Sequence, residues 1–219
     1  IRNMKRLFIW GMFALCMPQA YAAECISSRE VIAADSLVAS SLSKLNGQIS
    51  IDLLIKVRGE MARISDVYPN NWIPYYYQAW LGIQTCLFTR NNKNDMMEDC
   101  FKQIEKTEKL KEVDLSEIYA LKAYYYYVLI ALNSKVNGPK YYSNVFRNCE
   151  KALEINAKNP RALAIQYVFK MQMGNFLHAK TDNQQQEQER IMTLFNEENK
   201  NTILPRWGKE LLSYINRNS

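Results

Sequence analysis

The stretch Lys151-Ala152-Leu153-Glu154-Ile155-Asn156-Ala157-Lys158-Asn159-Pro160-Arg161-Ala162 joins the end of one helix to the start of the next. Asn159 is a residue whose side chain can accept from free N–H groups at a helix start. Pro160 follows at the first helical position, where its missing N–H costs no hydrogen bond. Upstream, Tyr142, Val145, Cys149 and Ala152 step by three and four, the spacing of one helix face. Downstream, Ala162, Ile165, Phe169 and Gln172 repeat that step, with Gly174 as the expected stop.

The same period extends through the rest of the chain. Leu54, Val57, Met61, Ile64 and Tyr68 form one stripe, and Trp72, Tyr76, Ala79, Ile83 and Cys86 form the next after Pro69-Asn70-Asn71. Met97, Cys100 and Ile104 mark a third helix, whose mixed Lys and Glu face reads as solvated. Asp114-Leu115-Ser116-Glu117 has the form of a capping box and opens a helix carrying Ile118, Leu121, Tyr125, Val128 and Leu132. Gly138-Pro139 is expected to break it, with Lys135 to Tyr141 as an insertion in the turn. Thr181 to Gln188, polar and glutamine-rich, reads as an exposed connection or a loosely held helix start. Ile191, Leu194 and Phe195 give a further stripe, and Pro205 is expected to start a terminal helix with Trp207, Leu211 and Tyr214. No stretch alternates as a strand does. The fold class is all-α.

Three segments resemble the tetratricopeptide-repeat family. Residues 151–162 match the family's repeat boundary, with Asn156 where an acid is usual and Ala157 where proline is usual. Tyr68-Pro69-Asn70-Asn71-Trp72-Ile73-Pro74-Tyr75-Tyr76-Tyr77-Gln78-Ala79 resembles the boundary and first helix of exported bacterial members, and Leu204-Pro205-Arg206-Trp207-Gly208 resembles their ending. The resemblance covers about residues 50–215, poorly over 176–203. It implies a short array of antiparallel helix hairpins, about three irregular repeats plus a C-terminal helix, in which each hairpin buries its apolar face against the next.

Composition bounds the rest. With 48% hydrophobic and 23% charged residues, seven Gly and six Pro in 219, the chain suits a packed helical domain and not a disordered one. Met4-Lys5-Arg6, the apolar run Leu7 to Met17 and Ala20-Tyr21-Ala22 make a signal-peptide pattern. The run is too short for a bilayer span, which takes about 20 residues. The expected organisation is a signal peptide over 1–22, with Ile1-Arg2-Asn3 preceding its true start, a helical or loosely ordered lead-in over 23–47, and a helical domain over 48–219. Export is therefore expected, to the periplasm in the first instance and to the exterior as the alternative. Removing residues 1–22 lowers the formal charge from +6 to +3, which makes no case for nucleic acid. Cys25, Cys86, Cys100 and Cys149 then face an oxidising compartment. Cys86 and Cys100 lie near the turn of one hairpin, so they are expected to be neighbours that either bridge or pack as reduced thiols.

Nothing in the sequence carries catalysis. His178 is the one histidine, in polar surroundings where a solvated ring is expected, and no Gly-x-Ser-x-Gly elbow or phosphate loop is present. No cofactor, metal or catalytic residue is expected. Four consecutive helical residues, Tyr124 to Tyr127, point in directions about 100° apart, so they cannot all be core. Tyr125 is expected to pack, with some of its neighbours facing a concave groove. Tyr75, Tyr124, Tyr127 and Arg161 are the candidate partner-binding residues, because tyrosine and arginine are frequent hot spots. The leading reading is a non-catalytic exported scaffold that binds a protein or peptide through its concave face. A permanent subunit of an envelope or transport complex, or an enzyme of unrecognised type, stands behind it.

Overall fold

The computed structural model describes residues 17–89, 94–177, 183–198 and 202–214, and every regular element among them is helical. The α-helices are α1 (Met17–Ser43), α2 (Ile51–Val67), α3 (Trp72–Thr89), α4 (Asn94–Glu108), α5 (Leu115–Leu132), α6 (Ser134–Ile155), α7 (Pro160–Leu177) and α8 (Gln184–Glu197). Short 3-10 turns follow at Lys44–Asn46 and Lys209–Tyr214. Of the apolar run expected in the signal peptide only Met17 is described, and Ala20-Tyr21-Ala22 lies within α1. His178 lies outside the described residues.

Local chemistry sets the helix starts. Ser50 Oγ accepts from Leu53 N at 3.2 Å to open α2, and Asn71 Oδ1 accepts from Ile73 N at 3.0 Å to open α3. Asp114 Oδ1 accepts from Glu117 N at 3.2 Å, while Asn159 Oδ1 takes both Arg161 N and Ala162 N at 3.0 and 3.1 Å. Each bond satisfies a donor that a helix start leaves without an intrahelical partner. The hairpins α3/α4, α5/α6 and α7/α8 then stack through their first helices, α3 on α5 and α5 on α7, with α1 and α2 added before them. Their apolar faces merge into one core running from Val38 to Leu212. This is the all-α array of hairpins that the periodicity and the resemblance led us to expect.

Tertiary context overrode four local expectations. The break falls at Asn133, not at Gly138-Pro139. Asn133 donates its N–H to Leu129 O and accepts from Val136 N, ending α5 and opening α6 at once. Pro139 therefore sits inside α6, and the hydrogen bond it forgoes is offset by the long α5/α6 interface. Tyr142 is exposed rather than part of the buried α6 stripe, which is Val145, Asn148, Cys149 and Ala152. Gly174 does not end α7, which runs to Leu177. No α-helix begins at Pro205: Gly208 has φ +104°, a left-handed conformation that a helix cannot continue through, and only a 3-10 turn follows.

Glycine matters differently at Gly82, in the middle of α3. A Cβ there would collide with Cys100 Sγ on α4. Gly-to-Ala in a helix interior normally stabilises by roughly 1 kcal/mol. Here overpacking of about 1–3 kcal/mol opposes it. Gly82→Ala is therefore expected to lower the urea midpoint, and Gly82→Ala combined with Cys100→Ala to restore it; a stabilising single variant would show that α3 and α4 can part freely.

Candidate functional site

The concave side formed by α3, α5 and α7 is filled by the chain itself. Residues 202–212 cross it through a bend at 202–204, an irregular stretch at 205–208 and the start of the 3-10 turn. Tyr77 Oη donates to Leu204 O at 3.1 Å, and Trp207 Nε1 donates to Tyr76 Oη at 2.8 Å. The Trp207 ring lies 4.7 Å from that of Tyr124 and 6.3 Å from that of Trp80, between α3 and α5. Gly208 then packs against Arg161 and Phe195, and Leu211 and Leu212 are buried.

Beneath this segment lies a buried ionic cluster. Arg161, at the start of α7, sends Nε and Nη2 to the two oxygens of Glu117 at 2.6 and 2.8 Å, and it also reaches Glu198 at 2.5 and 3.2 Å. Asn159 Nδ2 donates to Glu117 Oε1 at 2.8 Å, and Tyr76 Oη approaches Oε2 at 3.5 Å. Burial disfavours the Arg161 charge, but Glu117 and Glu198 outweigh it and hold the guanidinium above its usual range. Burial pushes the Glu117 carboxyl up, and Arg161 draws it back only in part. Burial likewise raises the Tyr76 and Tyr77 phenols far beyond neutral pH. These groups bond to one another inside the fold, with Glu198 alone partly exposed, so the cluster joins α5, α7 and the end of α8.

Tyr75 is buried, donates to Ser65 O on α2 at 3.1 Å and lies under Lys106 of α4. Tyr124 is buried against Trp207 and accepts from Gln84. Arg161 is buried in the cluster. None of these three faces an open groove, because each finds its partner inside the fold. Tyr127 is half-buried, stacks on Tyr124 and accepts from Gln172 at 2.9 Å. Tyr125 is buried as expected, though Tyr124 is more so. Cys86 and Cys100 are both buried thiols: Cys100 Sγ packs on Gly82, one turn from Cys86, with no disulfide between them. Burial pushes the Cys100 thiol up to about 12, which leaves little thiolate for exchange.

An open cleft of about 290 Å³ lies elsewhere, between α1, the α2–α3 turn and the α4–α5 connection. Its apolar lining comes from Val31, Val67, Tyr68, Pro69, Trp72 and Ile73. Its polar groups are Glu30, Asp35, Asn70, Asn71, Lys111 and Glu112. Asn71 Nδ2 donates to Asp35 Oδ1 at 3.4 Å, tying the turn to α1. Burial raises the Asp35 carboxyl from its usual value, and Asn71 partly offsets this. Glu112 is held at φ 57°, a conformation that costs a non-glycine residue about 1 kcal/mol or more. The sequence pointed to the Tyr68–Trp72 part only as a helix boundary. Asp35, Val67, Lys111 and Glu112 carried no signal, since three separate segments supply them.

Among the described residues no helix is long and apolar enough to cross a membrane, and no cluster of His, Cys, Asp and Glu could hold a metal ion. The fold and its cleft thus define a helical-hairpin array with, among the described residues, a small open concavity on the α1 side. No protein-family model matches the sequence, and no curated protein matches it either. Among solved structures the fold is similar to that of the HusA haemophore from Porphyromonas gingivalis, at a TM-score of 0.69 and 21% identity, over 86% of this chain and 94% of that one.

Proposed function

We propose that the chain is an exported, non-catalytic helical-repeat protein that holds a flat apolar small molecule in the α1 cleft, a tetrapyrrole being the first to test. The observation that carries this reading is the likeness in fold, over nearly the whole of both chains, to a protein named a haemophore. Two features of this chain support it. The signal-peptide pattern fits an exported carrier, and the cleft sets aromatic and aliphatic residues beside a comparable number of polar ones, a concave surface that can hold and orient a small molecule. Tyr68 brings a phenol of the kind that ligates haem iron in some proteins.

The test is titration of the chain from residue 23 onward with hemin and with a metal-free porphyrin, followed by the visible band and tryptophan fluorescence. Saturable one-to-one binding is expected. Val67 is 67% exposed, so Val67→Glu should leave the melting temperature unchanged. By wetting an apolar wall it should weaken binding about tenfold, or about 1.4 kcal/mol. Absence of saturable binding by either porphyrin would overturn the reading.

Binding of a protein or peptide by a tetratricopeptide-like scaffold is the second reading, favoured by the hairpin array itself. Its expected groove is the one that residues 202–212 fill, so it requires either their displacement or a different surface. Recovery of a stoichiometric protein partner together with no porphyrin binding would favour it.

A further inference from the structure

The charged side chains of the cleft are unbalanced. Glu30 and Asp35 from α1 and Glu112 from the α4–α5 connection stand against Lys111 alone. Lys111, Glu30 and Glu112 are all exposed and screened by water, and Lys111 is adjacent in sequence to Glu112, so the half-buried Asp35 is the charge that water screens least. Asp35 is half-buried and, among the described residues, accepts one long hydrogen bond, from Asn71 Nδ2 at 3.4 Å. A carboxylate has room for about four acceptor contacts, so most of the capacity of Asp35 is left for a donor entering the cleft. Trp72 and Ile73 are buried in the same lining and lengthen the reach of a charge placed beside them.

We infer that the cleft selects its ligand by charge, accepting a flat apolar molecule whose polar end is neutral or cationic and disfavouring one that brings carboxylates, with Asp35 and Glu112 as the residues that set this preference. The inference rests on the small-molecule reading above and narrows it: a ring bearing two ionised acid groups is the poorer ligand, and the same ring with amides or ammonium groups is the better one. Like charges brought together at a binding site discriminate against the wrong partner more than they alter the contacts of the right one.

The experiment compares three porphyrins with one ring and different side chains, a diacid, its diamide and a bis-ammonium analogue, titrated into the chain from residue 23 at neutral pH. The diamide and the ammonium form are expected to bind about tenfold or more tighter than the diacid, a gap that narrows as salt is added. The isosteric variant Asp35→Asn/Glu112→Gln should bring the three within about threefold while its melting curve stays that of the parent. A diacid that binds the parent as tightly as the diamide, or a gap that survives in the variant, would overturn the inference and leave the small-molecule reading standing. No binding by any of the three would overturn that reading and the inference with it.

Discussion

Arg161→Ala is expected to destabilise the fold by about 3–5 kcal/mol, the usual cost of removing one partner from a buried ion pair. Both side chains are almost fully buried, Arg161 at 5% and Glu117 at 7% exposed. The truncation leaves the Glu117 carboxylate with Asn159 and Tyr76 as its described donors, in a site too dry to hydrate it. It also releases Glu198 and loosens the packing over Gly208. For a chain of this size the loss corresponds to a fall in melting temperature on the order of 10 °C. Two companion variants make the cause readable. Glu198→Gln removes only the outer half of the cluster, where Glu198 is 24% exposed, and should cost about 1 kcal/mol. Arg161→Met with Glu117→Leu removes both buried charges and should recover most of the loss, because apolar replacement of a whole buried pair is often neutral or better. Urea unfolding followed by circular dichroism measures all three. A single Arg161→Ala variant as stable as the parent would mean that the cluster is hydrated and contributes little.

Trp207→Ala is expected to cost a similar amount, about 3–5 kcal/mol, as large-to-small core changes do. The indole is 5% exposed, lies between Tyr124 and Trp80, and gives its one N–H to Tyr76. Trp207→Phe keeps most of the apolar volume but leaves Tyr76 Oη without that donor, so it should lose about 1–2 kcal/mol. The pair of variants tests whether residues 202–212 are part of the core or merely rest on it. If they belong to the core, both variants shift the whole cooperative unfolding transition; if they rest on it, proteolysis near residue 202 increases while the transition stays in place. The first outcome would also fix the concave side as interior and weaken the case for a peptide there.

The capping box shows how far sequence reading reached into this cluster. Asp114 does cap Glu117 N, as Asp114-Leu115-Ser116-Glu117 implies. The side chain of Glu117, which a capping box would return to the helix start, instead crosses to Arg161, 44 residues away. Arg161 was visible as the residue after Asn159-Pro160, and its chemistry suggested an outward-facing hot spot. Its actual partner could not be read, because nothing in residues near 161 encodes Glu117. The tyrosine runs behaved similarly: periodicity marked Tyr76 as core, but burial of Tyr75, Tyr77 and Tyr124 depended on what covered their other faces.

What the sequence determined by itself is the apolar stripes of α2 to α8, the starts of α3, α5 and α7, and most of the faces these helices bury. Those features arise within three or four residues, from side chains that accept a nearby N–H and from apolar groups one turn apart. What only the tertiary structure decided is which surface stays open. Trp207 meets Tyr76 across 131 positions of chain, and the cleft joins α1, the α2–α3 turn and the α4–α5 connection. Such contacts follow from three-dimensional burial of apolar surface, which has no fixed spacing along the chain. The groove expected from the hairpin pattern is therefore core, and the open concavity lies where no pattern in the sequence marked it.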